Sequence, residues 1–345
     1  MSGSWDRRQV RAFLVVVLSL VLVTSLTGSL AALAAAGRYN VVVATGGIGG
    51  VYYYYGTAVA ELISRYANLS GTAIQTAASI DDLLLIRDRT DLARGTVYCA
   101  TVLPDSAYLA YTSRHERFAS KPAPISILWA MYPNHLHIVT ADDTGIKSLS
   151  DLKGKRVSTG APGSGTEVEA LLVLEVAGVD PARDFAKWER LGASESAQAL
   201  ADGSISAYFW SGGLPTASVV ELGTTLSRRS RHLRLVPVPD DLARQFAVRF
   251  PGLAAPARVD ASVYGTREAT PTLAFWNMFV CHKDTPEEVT YAITKAVFEH
   301  LDELVRAVPP ARDTTVANAA MYLGGTIPYS EGALRYFREI GAVKK

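Results

Sequence analysis

The chain has 345 residues, 49% of them apolar, with 34 basic against 33 acidic side chains and a formal net charge of +1. A length of that order is a prior for about two domains with a substantial core, and the composition excludes a disordered or collagen-like chain. Charge so evenly balanced leaves no basic footprint for nucleic acid.

The N-terminus carries Arg7, Arg8 and Arg11, then an uncharged run from Ala12 to Ala36 that closes on Ala34-Ala35-Ala36. A basic start, an apolar stretch and an A-x-A end mark a signal peptide over residues 1–36; the run is also long enough for an uncleaved membrane anchor. Cleavage is the expectation, because the first strand begins near Tyr39 and an anchor would leave almost no linker. In both cases the arginines stay inside and the remainder is exported. Removing Asp6 and the three arginines takes the net charge from +1 to −1. Arg7-Arg8 is also compatible with a twin-arginine signal, and no cysteine follows the apolar run to accept a lipid.

Val41-Val42-Val43 then meets a glycine cluster, Gly46-Gly47-Ile48-Gly49-Gly50. Beyond it Val51, Tyr55, Ala58, Val59, Leu62, Ile63 and Tyr66 recur at helical spacing, which predicts strand, tight loop and helix. Free N–H groups and the positive end of the helix dipole make that loop ready for an anion. The dinucleotide fingerprint fails at Tyr52, and no phosphate-loop G-x-x-x-x-G-K-[ST] occurs in the chain. The alternative is a turn that needs glycine only for its backbone. Tyr52 is expected to hydrogen-bond a ligand, and Tyr53–Tyr55 to pack or line a cleft edge.

Strands are predicted at Tyr39–Ala44, Thr72–Thr76 and Thr96–Val102, alternating with helices, which argues for a parallel α/β sheet. Asp81 and Asp82, after Ser79, read as acids in a helix's first turn rather than metal ligands. Ile125–Ala141 reads as one long crossing interrupted at Tyr132-Pro133-Asn134. His135 and His137 lie on it and read as structural rather than as metal ligands.

A second series begins with strand Arg156–Thr159, loop Gly160–Gly165 and a helix from Thr166 to Ala177. Ser164-Gly165-Thr166-Glu167 fits a capping box, which leaves the N–H groups of Gly165 and Thr166 available. A serine nucleophile elbow would need glycines where Pro162 and Thr166 stand. Strand Trp188–Leu191, helix Ser194–Asp202, strand Ile205–Trp210 and the loop Ser211–Thr216 follow. Ligands in open α/β sheets bind outside such strand ends, so Trp210 either walls a pocket or packs in the core. Leu233–Val238, Val259–Val263 and Thr272–Val280 read as strands, the last a return crossing. Pro286–Arg306 and Ser330–Ile340 read as helical. Cys99 and Cys281 lie in apolar strand-like runs; export would permit a disulfide, and two buried free thiols are the expectation. Arg228-Arg229-Ser230-Arg231 reads as a solvated loop, with a docking patch as the alternative. No nucleophile–base arrangement, metal set or cofactor motif appears, so an enzyme is not expected.

The motifs together resemble the solute-binding proteins of TRAP transporters, specifically the TAXI group. The resemblance rests on Ala44-Thr45-Gly46-Gly47 through Tyr52-Tyr53 and Gly56, and on Tyr132-Pro133 with His135. It continues through Ser150–Val157, Pro162–Glu167, Ala199-Leu200 with Asp202-Gly203, Gly213–Ala217 and Gly332–Glu339, in family order over nearly all of residues 39–341. It implies an α/β two-lobe type II periplasmic binding protein fold with two hinge-crossing strands. Lobe 1 would comprise 37–132 and 278–345, and lobe 2 residues 133–277. It further implies an exported, extracytoplasmic protein, expected as a monomer, that captures a small organic acid or amino acid and delivers it to a TRAP-type membrane permease. A ligand-sensing module presenting its state to a membrane receptor kinase is the alternative. The chain departs from the family pattern at Leu103-Pro104, in place of Gln-Ser, and at Asn134, where Glu is common.

The residues nominated for ligand binding are Thr45, Gly46, Gly47, Gly50, Tyr52, Ser79, Tyr132, Ser164, Gly165, Thr166, Trp210, Gly213 and Thr216. Pro133, Asn134 and Asn277 are nominated for the hinge. Helix starts at Gly49-Gly50 and Gly165-Thr166, one per lobe, would form two anion sites facing one cleft. No arginine lies in the matched loops, so backbone N–H groups and the hydroxyls of Thr45, Tyr52, Ser164 and Thr166 are expected to recognise a dicarboxylate.

Overall fold

In a computed structural model the described residues are 39–344. The expected leader lies outside them, and with it the choice between signal peptide and anchor. Among the described residues no helix is long and apolar enough to cross a membrane.

The first series follows the predicted alternation. β1 (Asn40–Ala44) is buried from Val41 onward. It is followed by α1 (Val51–Tyr66), β2 (Ser70–Ile74), α2 (Ser79–Arg89), β3 (Thr96–Val102) and α3 (Pro104–Tyr111). β1 pairs in parallel with both β2 and β3, the arrangement that helical crossovers permit. β4 (Ile125–Ala141) then runs for 17 residues without a break.

The second series consists of β5 (Arg156–Ser158), α4 (Gly165–Val176), the short α5 (Pro181–Asp184), β6 (Lys187–Glu189), α6 (Ala193–Ala201) and β7 (Ala207–Gly212). β5 is parallel to both β6 and β7. α7 (Ala217–Arg228), β8 (Leu233–Leu235), α8 (Asp240–Arg249), β9 (Ala255–Val259) and α9 (Ala261–Tyr264) lead to β10 (Thr270–His282). The chain then closes with α10 (Glu287–Phe298), α11 (Leu301–Ala307) and α12 (Glu331–Glu339); α10 and α11 pack back on α1.

The sheet order is β2-β1-β3-β10-β4-β7-β5-β6, with β8 beside β4 and β9 beside β10. β4 and β10 are antiparallel and each serves both series. Met278–Cys281 of β10 pairs with β3, whereas Thr270–Ala274 pairs with β9. His135–Thr140 of β4 pairs with β7. This is the two-lobe α/β arrangement with two crossing strands. At the crossing Trp129 stacks on Phe279, ring centroids 4.2 Å apart, and donates from Nε1 to the Tyr55 hydroxyl at 3.0 Å.

Four details differ from the sequence reading. Pro133 does not interrupt β4: it sits opposite Trp276, where a register shift before Met278 leaves the ladder irregular and a missing N–H is tolerated. Val259–Val263 is not a strand, because β9 ends at Val259 and Ala261–Tyr264 coils into a helical turn closed by Gly265 at φ +67°. Cys99 and Cys281 are not free thiols. They are directly opposed on β3 and β10 and form a disulfide across a sequence separation of 182, a partnership that only the sheet register reveals. Finally, the 228–230 stretch is exposed, as read, but two arginines of the run also hold an earlier helix. Arg229 and Arg231 both donate to the Ala201 carbonyl, at 2.6 and 2.9 Å, where they complement the negative C-terminal end of α6.

Candidate ligand-binding site

A cavity of about 280 Å³ lies between the two series, where the strands' carboxyl ends and the helix starts converge. The first series contributes the β1–α1 loop with Gly46, Gly47, Gly50 and Tyr52, and the start of α2 with Ser79. The second contributes Ser164, Gly165 and Thr166 at the start of α4, the start of α6 at Gly192-Ala193, and Trp210 near the end of β7. Of the nominated hinge residues, Asn134 reaches the lining. The only charged side chain in that lining is Glu195, so the groups that could attract an anion there are helix N-termini rather than lysine or arginine.

The caps differ in kind. Ser164 Oγ accepts the Glu167 N–H at 3.1 Å, as predicted for an N-cap. The return half of the capping box is absent: the Glu167 carboxylate instead pairs with Arg190 and accepts the Gly163 N–H at 3.3 Å. Gly50 caps α1 with no side chain in the way. The Ile80 and Asp81 N–H groups of α2 are already taken, both by the Gly163 carbonyl at 3.2 Å. That leaves the start of α1 from the first series, and the starts of α4 and α6 from the second, as donor ends.

The same hydrogen bonds show the cleft closed. Ser194 Oγ donates to the Ile48 carbonyl at 3.0 Å, and the Ser218 N–H reaches the Gly49 carbonyl at 3.4 Å. A Cβ on Gly165 would meet Leu103 Cδ1 at 2.5 Å and Ser79 Oγ at 2.6 Å. The glycine clusters therefore do a second job that their anion-loop reading missed: they let the two halves touch. The signal for it was present as two glycine loops in corresponding places, but which surfaces they face is a tertiary fact.

Tyr52 is buried and its hydroxyl donates to Asn277 Oδ1. Asn277 Nδ2 in turn donates to the Tyr132 carbonyl at 2.7 Å and to Asn134 Oδ1 at 2.9 Å, and Asn134 Nδ2 to the Ser211 carbonyl at 3.3 Å. This chain links α1, both crossing strands and β7.

Four of the thirteen residues nominated for ligand binding lie outside the lining, as do Pro133 and Asn277 of the hinge set. Thr45 is fully buried, its Oγ1 donating to the Ile74 carbonyl at 2.8 Å. Tyr132 packs in the core beside Tyr55, centroids 5.3 Å apart, and Gly213 packs against it. Thr216 Oγ1 accepts the Trp210 Nε1–H at 3.1 Å and so fixes the indole from behind. Trp210 itself walls the cavity, as one of its two readings had it. The lining that sequence reasoning missed includes Gln75–Ala78 after β2, Gly160-Ala161 and Ser211. Ala78 stands at φ +86°, ψ −164°, a backbone region essentially reserved for glycine, and this strain sits at the cavity wall. Leu103, a departure from the family pattern, does line the cavity.

Beneath the cavity lie acids that the sequence did not single out. Asp105 at the start of α3 and Glu169 on α4 are fully buried. Burial pushes Asp105 up to about 7, and burial together with the Asp105 charge pushes Glu169 well above the usual carboxylate range. Burial also raises Asp82, although Thr76 Oγ1 donates to it at 2.6 Å. His137 is structural: its Nδ1 lies 2.7 Å from the His135 carbonyl and its Nε2 2.9 Å from the Tyr264 hydroxyl. Among the described residues no His, Cys, Asp and Glu group is arranged to hold a metal ion.

The NMT1-like family model matches residues 43–341, and the chain belongs to that family. Solved structures share the fold at low identity. A binding protein component of an ABC phosphonate transporter from Pseudomonas aeruginosa matches at 13% identity and TM-score 0.52, covering 79% of this chain and 78% of the other. MatC from Rhodopseudomonas palustris, with bound malate, matches at 14% identity and TM-score 0.52, covering 88% and 97%. The periplasmic binding protein BugD matches at 12% identity and TM-score 0.51, covering 79% and 87%.

Proposed function

We propose that this NMT1-like protein is the extracytoplasmic solute-binding subunit of a TRAP transporter of the TAXI type, capturing a small carboxylate and delivering it to the membrane permease. The observation that carries the ligand class is the cavity itself: the starts of α1 and α4 open into it from opposite sides, and its lining holds no lysine or arginine. Two donor ends facing one small space suit a molecule with an acid at each end, glutamate or a related C4–C5 dicarboxylate. The volume of about 280 Å³ suits a metabolite of that size. The malate bound in MatC, a protein of the same fold, is in keeping with such a ligand. Residues 37–132 and 278–345 form lobe 1 and residues 133–277 lobe 2, and the lobes hinge about Pro133, Asn134 and Asn277. The leader over residues 1–36 and the Cys99–Cys281 disulfide both support an oxidising, extracytoplasmic setting.

Titration calorimetry with the exported chain over L-glutamate, 2-oxoglutarate, malate, neutral sugars and polyamines tests the ligand class. Heat from at least one dicarboxylate and none from sugars or polyamines is expected. Tight binding of a neutral sugar with no heat from any carboxylate overturns it.

A further inference from the structure

Asp105 and Glu169 come from opposite halves of the molecule, on α3 and α4, and both are fully buried. Among the described residues none of their four carboxylate oxygens has a partner at full hydrogen-bond geometry; the Ser106 and Ser211 hydroxyls beside them offset only a little of the cost of burial. The titratable groups around them supply no compensating cation: Tyr52 on α1 faces both acids and also Tyr132 and Asp82, while Tyr322 faces Asp105. The remaining acids of α4 do not help, since Glu167 is held by Arg190 and Glu175 by Arg249. Two ionised carboxylates enclosed together without a cation are strongly disfavoured, and protonating one of them removes that repulsion.

We propose that closing the cleft takes up a proton on the pair of Asp105 and Glu169 where α3 and α4 meet, so that the closed state is favoured as pH falls. In the open state the two helices separate, each carboxyl regains water, and both ionise near their ordinary values. In the closed state burial raises both, Asp105 to about 7. The closed state therefore binds more protons between the two sets of values. Its population relative to the open state rises about tenfold for each pH unit lost, per proton taken up. A neutral pair also leaves the helix starts above it unopposed by negative charge, which suits an acidic solute. The hinge is the one proposed above; the ligand class is not assumed.

Small-angle scattering of the ligand-free exported chain between about pH 5 and pH 8.5 tests this. Compaction as pH falls is expected, with the Asp105→Asn/Glu169→Gln double variant compact throughout. A wild-type profile that does not change with pH, or a double variant that keeps the wild-type response, overturns the proposal. Because no solute is present, failure here is separate from failure of the carboxylate reading. Infrared spectroscopy at neutral pH gives a second readout: a protonated-carboxyl band should weaken in Glu169→Gln and persist in Glu61→Gln, whose carboxylate is exposed. A Glu169→Gln spectrum identical to wild type also overturns the proposal.

Discussion

A Cβ placed on Gly50 would stand 2.8 Å from Trp210 Cη2, so the lip of the β1–α1 loop meets the indole with no room for a methyl group. Gly50 itself has φ −92° and ψ 153°, which any residue adopts. The requirement for glycine is therefore one of contact, not of backbone freedom.

Gly50→Ala should accordingly fold normally and close poorly. Thermal unfolding of the ligand-free variant should stay within about 0.5 kcal/mol of wild type, as for a benign surface change. Affinity for whichever dicarboxylate binds the wild type should fall at least tenfold. A loss of stability as large as the loss of affinity would mean that Gly50 supports folding instead.

Tyr52 and Asn277 form the middle of the hydrogen-bond chain between α1 and the crossing strands. Tyr52→Phe keeps the ring and strands the Asn277 oxygen in a buried place. The expected cost is about 1–3 kcal/mol, read by urea unfolding. Asn277→Ala should cost at least as much, because it orphans the Tyr52 hydroxyl and the Tyr132 carbonyl together. A neutral Tyr52→Phe would remove the chain from any structural role.

Much of the fold was legible because periodicity and turn residues act locally. β3 and the long β4 fall within their predicted bounds, and the helix after Ser164 begins one residue early. The two glycine loops were legible as a repeated strand-loop-helix device, and nine of the thirteen residues nominated for ligand binding line the cavity. What stayed hidden depends on register and on facing surfaces. The disulfide needed the β3–β10 pairing. Asp105 drew no reading at all, because only the packing of α4 against α3 buries it, and Thr45 looked available until its hydroxyl was seen donating to the neighbouring strand.

The Cys99–Cys281 bridge ties β3 to the return half of β10 and encloses the whole of the proposed second lobe, residues 133–277, in its loop. Closing so long a loop restricts the unfolded chain strongly. Reduction, or the Cys99→Ala/Cys281→Ala pair, should lower stability by about 2–5 kcal/mol in thermal or urea unfolding. Identical unfolding curves with and without reductant, on protein shown by thiol titration to be fully reduced, would show that the sheet alone holds these strands.

His137 gives the sharpest pH prediction for folding. It is buried among neutral partners, and burial lowers it to about 3, against an ordinary histidine near 6.5. The unfolded chain therefore binds a proton on this ring below about pH 6.5 that the folded chain refuses until about pH 3. The stability it contributes is present above pH 6.5 and is lost as pH falls through that window, by up to about 1.4 kcal/mol per unit. Replacing it with His137→Gln removes the titration while keeping a polar side chain beside Tyr264. At pH 7 the variant should be the less stable of the two, since Gln fits the imidazole's site imperfectly. Its deficit should shrink steadily as pH falls from about 6.5 to about 4.5, because only the wild type must shed that proton to fold. Buried acids such as Asp105, whose raised value works in the opposite direction, titrate in both proteins and cancel in the difference. Urea midpoints for the two proteins at matched pH values measure it directly. A deficit constant across that range would mean that the imidazole folds with its proton on and that its burial has been misjudged.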